Sequence, residues 1–195
     1  MSQIVAFPTQ RYTSGAIFFH WAMALLILFV AVSGLLFDDI PKNIKPWLVN
    51  LHAIAGTAIL ALLIARIWWR IKHRPPPDTA SMGRLNRQLS SLGHYALYGL
   101  MAIVPVLGLV TLFYRGLGMD FGWFQVGPLL ERTPAISRPA GDLHQLTAYA
   151  LILLALGHIA MAFWHQYVTK DGLLLRMMPA TKSPALAAKP VKAAR

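Results

Sequence analysis

Six of the seven histidines in this chain fall inside or at the ends of long apolar runs: His20, His52, His94, His144, His158 and His165. An ionisable ring at lipid depth is costly unless something satisfies its nitrogens, so each of these residues carries a functional hypothesis by default. Taken singly, each could equally be structural or interfacial; their spacing makes them informative as a set. His144 and His158 are 14 residues apart, about 40° short of four full helical turns, so on a helix they share a face and stand about 21 Å apart along the axis. His165 follows seven residues later on that face, about 10 Å further along. Pairs of imidazoles from different helices, held at two heights, are what axial ligation of two haem irons requires.

The elements that must position these rings are membrane spans. Hydrophobic residues make up 56% of the chain and charged residues 13%, against about 25% charged in an ordinary soluble domain. A hydrocarbon core of about 30 Å needs roughly 20 apolar residues of helix. Four segments meet that length: residues 15–37, 47–71, 92–114 and 143–168. The expectation is an all-α, integral membrane four-helix bundle. Pro41 and Pro46 punctuate the first connection, Pro75, Pro76 and Pro77 the second, and Pro105 inside the third span is expected to kink it. The first apolar run lacks a cleavage site and reads as a retained helix. There is no cysteine, which excludes disulfides, thiolate ligation of haem, iron–sulfur clusters and cysteine zinc sites.

Charge orients the bundle. Of the 18 Lys and Arg residues, Arg11, Arg66, Arg70, Lys72, Arg74, Arg84, Arg87 and the six from Lys170 onward fall on one side. Lys42, Lys45, Arg115, Arg132 and Arg138 fall on the other, where five of the seven acids balance them. Cytoplasmic loops carry the excess of Lys and Arg, so both termini are expected in the cytoplasm. The net charge of +11 is thus a topology signal and a surface for anionic lipid, not a nucleic-acid face. Trp21, Trp68, Trp69 and Trp164 belong near the inner interface and Trp47 near the outer one. The loop from Arg115 to Gly141, with its aromatic stretch Phe121-Gly122-Trp123-Phe124, reads as a lid on the outer end of the bundle. Residues 11–179 form the membrane domain, and the Ala-, Lys- and Pro-rich stretch 180–195 is expected to be a disordered basic tail.

With that orientation, depth selects partners. His20 and His158 both lie towards the cytoplasm, and His52 and His144 both lie towards the outside. Each pair joins two helices and suits a bis-histidine haem. Zinc would instead need four ligands at one level. Ala148, Ala155 and Ala162 beside the fourth-span histidines, Gly56 beside His52, and Ala24 and Ala31 along the His20 face leave room for a porphyrin edge, or simply for close helix approach. Arg66, 14 residues after His52, falls near the inner level, where a guanidinium could pair with a propionate or snorkel to the interface. His94 and His165 are left over at the cytoplasmic ends of their spans. They could bind a propionate, or bind a quinone carbonyl and relay its protons. His73, in the basic loop, has no assigned role.

Phe19-His20-Trp21, Leu51-His52-Ala53-Ile54-Ala55-Gly56, Leu92-Gly93-His94-Tyr95, Leu143-His144 and Gly157-His158 together resemble the bacterial cytochrome b561 family of dihaem membrane proteins. Pro105-Val106-Leu107-Gly108, Tyr114-Arg115-Gly116 and the closing stretch Lys170 to Pro179 fit as well, so the likeness runs from about Arg11 to Pro179. The resemblance implies two haem b groups on His20, His52, His144 and His158. It also implies location in the bacterial inner membrane and electron exchange with ubiquinone, with His94 and His165 as quinone-side candidates. In part of that family the donor is periplasmic superoxide, which would make the chain a superoxide:ubiquinone oxidoreductase. Two other readings stand beside it: a haem-carrying anchor that relays electrons for a docked dehydrogenase or hydrogenase, and a proton-conducting or transport bundle whose histidines bind no iron.

Overall fold

The computed structural model describes residues 11–77 and 83–179. Four helices dominate it: α1 (Ser14–Leu35), α2 (Lys45–Lys72), α3 (Arg84–Tyr114) and α4 (Pro134–Trp164). All four are long and apolar enough to cross a membrane, so the chain is the all-α membrane bundle that the apolar runs predict. Bulky residues such as Leu28, Ile64, Leu153 and Leu156 are exposed on its outer surface, as expected where lipid tails complete the packing. Residues 180–195, where the basic tail is expected, lie outside the described residues.

Two helices begin earlier than the apolar runs do. α3 starts at Arg84, eight residues before the expected Leu92, because Leu85, Leu89 and Leu92 continue the helical spacing through a polar stretch. α4 starts at Pro134, nine residues before Leu143, with proline in its first turn, where the missing N–H costs nothing. The expected outer loop therefore shrinks to residues 115–133. Hydropathy marks only the part of a helix at lipid depth; these extensions stand beyond it. α3 runs on through Pro105.

Successive helices alternate in direction, so the N-terminus of α1, the C-terminus of α2, the N-terminus of α3 and the C-terminus of α4 share one end of the bundle, the terminal end. There α4 passes into a single π-helical turn, His165–Thr169, which Lys170 ends at φ 53°. A short 3-10 turn, Leu174–Met177, then folds back on α1. The Trp21 indole donates to the Met177 carbonyl at 2.8 Å, and the buried Arg176 guanidinium donates to the Pro77 carbonyl at 2.8 Å and lies over the Tyr12 ring. Thr13 caps α1 through its hydroxyl, which also accepts from the Trp69 indole at 3.0 Å.

At the opposite end, residues 115–133 form a small antiparallel hairpin of β1 (Met119–Asp120) and β2 (Gln125–Val126), with Met119 opposite Val126 and Asp120 opposite Gln125. The Asn50 side chain holds it to α2 twice, donating to the Asp120 carbonyl at 2.7 Å and accepting from the Asp120 N–H at 2.8 Å. Met119 is buried, with its sulfur 3.6 Å from the Thr57 hydroxyl. Phe121 and Phe124 stack at the tip. Midway between the two ends, Met23, Ile59, Leu63, Met101 and Leu151, drawn from all four helices, form the buried core.

Candidate functional site

Histidines recur on the faces that surround this core. Along α2 the sequence places His52, Ile59 and Arg66 seven residues apart, and along α4 His144, Leu151, His158 and His165 at the same interval. A seven-residue step is close to two helical turns, so each helix presents one stripe on which the buried Ile59 or Leu151 separates a hairpin-end histidine from the groups at the terminal end.

The rings meet in the expected combinations. At the hairpin end, His52 and His144 face each other with ring centres 6.1 Å apart. At the terminal end, His20 and His158 are 6.3 Å apart. A metal–imidazole bond of about 2 Å on each side of an iron, with each ring centre about 1 Å behind its nitrogen, gives about 6 Å between two axial imidazoles. Both separations match. The space is also there. α3 packs along α4, α1 along α2 and α2 along α3, whereas α1 and α2 scarcely touch α4. Each histidine pair thus spans two helices that do not pack on each other, which is where a flat macrocycle would lie. Ala31, Gly56 and Ala148 line the gap between His52 and His144, and a Cβ built on Gly56 would meet nothing within 4 Å.

The hydrogen bonds at the hairpin end fix which ring nitrogen is bare. His144 Nδ1 lies 2.8 Å from the Val104 carbonyl. A carbonyl only accepts, so Nδ1 carries the proton and Nε2 is free to ligate. The buried Ser33 hydroxyl lies 3.2 Å from the Val30 carbonyl and 3.0 Å from His52 Nδ1. Its one proton goes to Val30, so its oxygen accepts from Nδ1–H, and Nε2 of His52 is bare as well. Two glycines let these rings in. A Cβ on Gly108 would stand 3.0 Å from Cε1 of His144, and one on Gly34 would stand 3.3 Å from Cε1 of His52. Phe37 covers His52 at 5.1 Å between ring centres.

The terminal-end pair is built differently. Among the described residues, neither His20 nor His158 makes a side-chain hydrogen bond, and a third imidazole joins them. His94 lies 5.4 Å from His158, edge to face, with its Nδ1 2.6 Å from the Ser90 carbonyl. His94 belongs to α3, which packs directly on α4, whereas His20 belongs to α1, which scarcely touches α4. Arg66 falls at this level, as its spacing from His52 predicts. Its Nε donates to the Tyr98 hydroxyl at 3.0 Å, and it lies over the Tyr98 ring.

His165 stands apart from this group. Its Nδ1 bonds the Asp171 carboxylate at 2.6 Å, and the other Asp171 oxygen accepts from the Leu173 N–H at 3.1 Å. The π turn and the carboxylate together hold the ring. The structure therefore separates the two leftover histidines: His94 borders the terminal-end pair, and His165 sits on its own carboxylate. Ser33, Gly34, Val104, Tyr98 and Asp171 are contributors that the sequence pattern did not single out. A lone serine in an apolar helix, and an acid six residues after a span histidine, were the available signals.

A sequence model of the prokaryotic cytochrome b561 family matches residues 11–180. The chain is 30% identical to "Probable superoxide oxidase CybB" of Yersinia pestis over 87% of its own length and 97% of that protein. It is 29% identical to "Cytochrome b561 homolog 1" of Escherichia coli (strain K12), over 89% and 99% of the two chains. It is 35% identical to "Cytochrome b562" of Cereibacter sphaeroides, over 86% and 94%. With four apolar spans, paired histidines across helix gaps and a match over nearly its whole length, the chain belongs to the prokaryotic cytochrome b561 family of bacterial membrane electron-transfer proteins, whose cofactor is haem b.

Proposed function

We propose that this protein is a dihaem cytochrome of the bacterial inner membrane that carries electrons between a periplasmic donor and ubiquinone, with both termini in the cytoplasm. The observation that carries the reading is the pair of imidazole separations, 6.1 and 6.3 Å, each across helices that leave a gap. In this reading His52 and His144 hold the outer haem and His20 and His158 the inner one. Bound haem supplies the one-electron chemistry. The chain supplies bare Nε2 atoms, an apolar channel floor of Ile59 and Leu151, and the Arg66 guanidinium, whose terminal nitrogens suit a propionate at the inner level. His94 and His165 are the quinone-side groups. His165, with Nδ1–H held on Asp171, presents Nε2 as a hydrogen-bond partner for a quinone oxygen and as a station for its proton.

Superoxide is the proposed donor, supported by the name of the Yersinia pestis relative. Arg115, Arg132 and Arg138 at the hairpin end form no ion pair among the described residues and favour approach of an anion. The test has two arms. A dithionite-reduced minus oxidised spectrum with haem quantitation should give two haems per chain. Purified protein mixed with superoxide and ubiquinone should then consume superoxide in a quinone-dependent manner, above background dismutation. A colourless protein from haem-replete cells would overturn the ligation; two haems without quinone-dependent turnover would overturn the donor assignment alone. The exposed hairpin tip, with Trp123 85% accessible, favours one second reading, an anchor for a docked redox subunit. Stable co-purification of such a subunit, lost in Trp123→Ala, would select it.

A further inference from the structure

The two histidine pairs differ in what stands behind them. Both rings of the outer pair donate Nδ1–H to an oxygen: His144 to the Val104 carbonyl at 2.8 Å and His52 to the Ser33 hydroxyl at 3.0 Å. Neither ring of the inner pair does so among the described residues, and the Arg66 cation, held on the Tyr98 hydroxyl at 3.0 Å and two seven-residue steps along α2 from His52, stands at that end of the bundle instead. A hydrogen-bond acceptor on the far nitrogen raises the basicity of a ligating imidazole and so favours the higher oxidation state of its metal. A nearby fixed positive charge at low dielectric favours the lower one. Both effects push in one direction.

Resting on the ligation proposed above, we infer that Ser33 is a positioning residue for His52 that, with the Val104 carbonyl behind His144, makes the outer site the stronger electron donor, while Arg66 makes the inner site the stronger acceptor. Ser33 suits this role on three counts. It is 4% exposed, so the bond is shielded from water. Its own proton is committed to the Val30 carbonyl at 3.2 Å, so the oxygen can only accept from the ring. And Gly34, its neighbour, lets the ring approach this closely. A haem held by His52 and His144 would thus be favoured in its oxidised form by Ser33 and the Val104 carbonyl, and one held by His20 and His158 in its reduced form by Arg66, so that a single electron would pass between them with no proton moved and no bond broken. The built-in gradient runs from the hairpin end to the terminal end.

Optical redox titration of the haem-loaded protein tests this without an activity assay. Two waves are expected. Ser33→Ala removes one acceptor and should raise the lower midpoint potential, by about a tenfold change in the redox equilibrium, which is 59 mV for one electron, leaving the higher wave in place. Ser33→Thr keeps the hydroxyl and should leave both waves unmoved. Arg66→Gln should lower the higher wave only. Should Ser33→Ala fail to retain both haems, Ser33→Cys, with its weaker acceptor sulfur, should shift the lower wave in the same direction by less. Two haems per chain with neither the Ala nor the Cys variant moving the lower wave, or with either moving the higher one, overturns the inference and leaves the ligation intact. Fewer than two haems in the unaltered protein overturns the ligation and the inference together.

Discussion

The hairpin end and the terminal end of this bundle solve the same problem by opposite means. At the hairpin end His52 and His144 are locked: each ring is hydrogen-bonded on its far nitrogen, each is admitted by a glycine, and the hairpin is pinned over the start of α2. At the terminal end His20 and His158 have no such bonds among the described residues, a third imidazole crowds His158, and Arg66 brings charge. The first design fixes geometry and excludes competitors. The second leaves polar groups without such locks, which is what the proposed exchange site for quinone would need. Electron carriers that couple a fixed centre to a diffusing one gain from that division, because only the exchange end has to open.

The largest expected effect removes a proposed ligand and so breaks one end while sparing the other. His144→Ala and His52→Ala should each remove the same half of the haem content, and His158→Ala and His20→Ala the other half, as read by haem quantitation and by which redox wave survives. If His94→Ala removed a haem and His20→Ala did not, the inner pairing would be His94 with His158. The 5.4 Å contact makes this the sharpest rival. The tight packing of α3 on α4 is the reason to expect His20.

Next in size are the glycines, which separate room for a ring from room for a cofactor. Gly108→Val puts a branched side chain where the His144 ring sits, since even a Cβ would be 3.0 Å from Cε1. The outer haem should be lost and the protein destabilised, because overpacking costs about 1–3 kcal/mol. Gly56→Val faces open space in the protein alone. It should therefore leave the helical content and thermal unfolding of the haem-free protein unchanged and still abolish the outer haem. Normal haem loading in Gly56→Val would mean that the gap beside His52 is not where the macrocycle lies.

How much of this could be read from the chain follows from periodicity. Every histidine level was legible, because 3.6 residues per turn converts spacing into height and face, and alternating spans convert height into partnership. The placement of Arg66 at the end of the bundle that holds His20 and His158 came from the same arithmetic. Lateral packing was not legible. Nothing in the spacing of His94 says that α3 lies against α4 and not in the gap, so a residue expected as a propionate- or quinone-side group proves also to lie against His158. Ser33 was hidden for another reason. A serine in an apolar helix commonly bonds back to its own carbonyls, as this one does to Val30. Only the three-dimensional arrangement shows that its other side accepts from an imidazole 19 residues away. The helix extensions 84–91 and 134–142 were missed because hydropathy registers lipid depth, not helix ends.

A middle-sized effect should fall on both ends alike. Leu151 lies halfway between His144 and His158 and is 7% exposed, in the core that all four helices share. Leu151→Ala removes packing that helix association in lipid relies on, and a cavity there should cost about 2–5 kcal/mol. Both haems should dissociate at a lower denaturant concentration, in step. If one wave alone weakened, the core would belong to one end and not join the two.

The smallest expected effect isolates the lock from the ligands. The Asn50 amide makes two hydrogen bonds to the Asp120 backbone, each contributing about 0.5–1.5 kcal/mol net, and it touches neither histidine pair. Asn50→Ala should free the hairpin locally: amide exchange at Asp120 and its neighbours should quicken about tenfold or more, while haem content and both midpoint potentials stay where they were. Asn50→Asp separates the two bonds, since a carboxylate still accepts from the Asp120 N–H but no longer donates to the carbonyl, and should fall between. If loosening the hairpin instead shifted the lower redox wave, water would be reaching the outer site through the opened end. The exclusion of solvent there would then rest on the hairpin, and not on Phe37 and the buried Ser33 packed directly against His52.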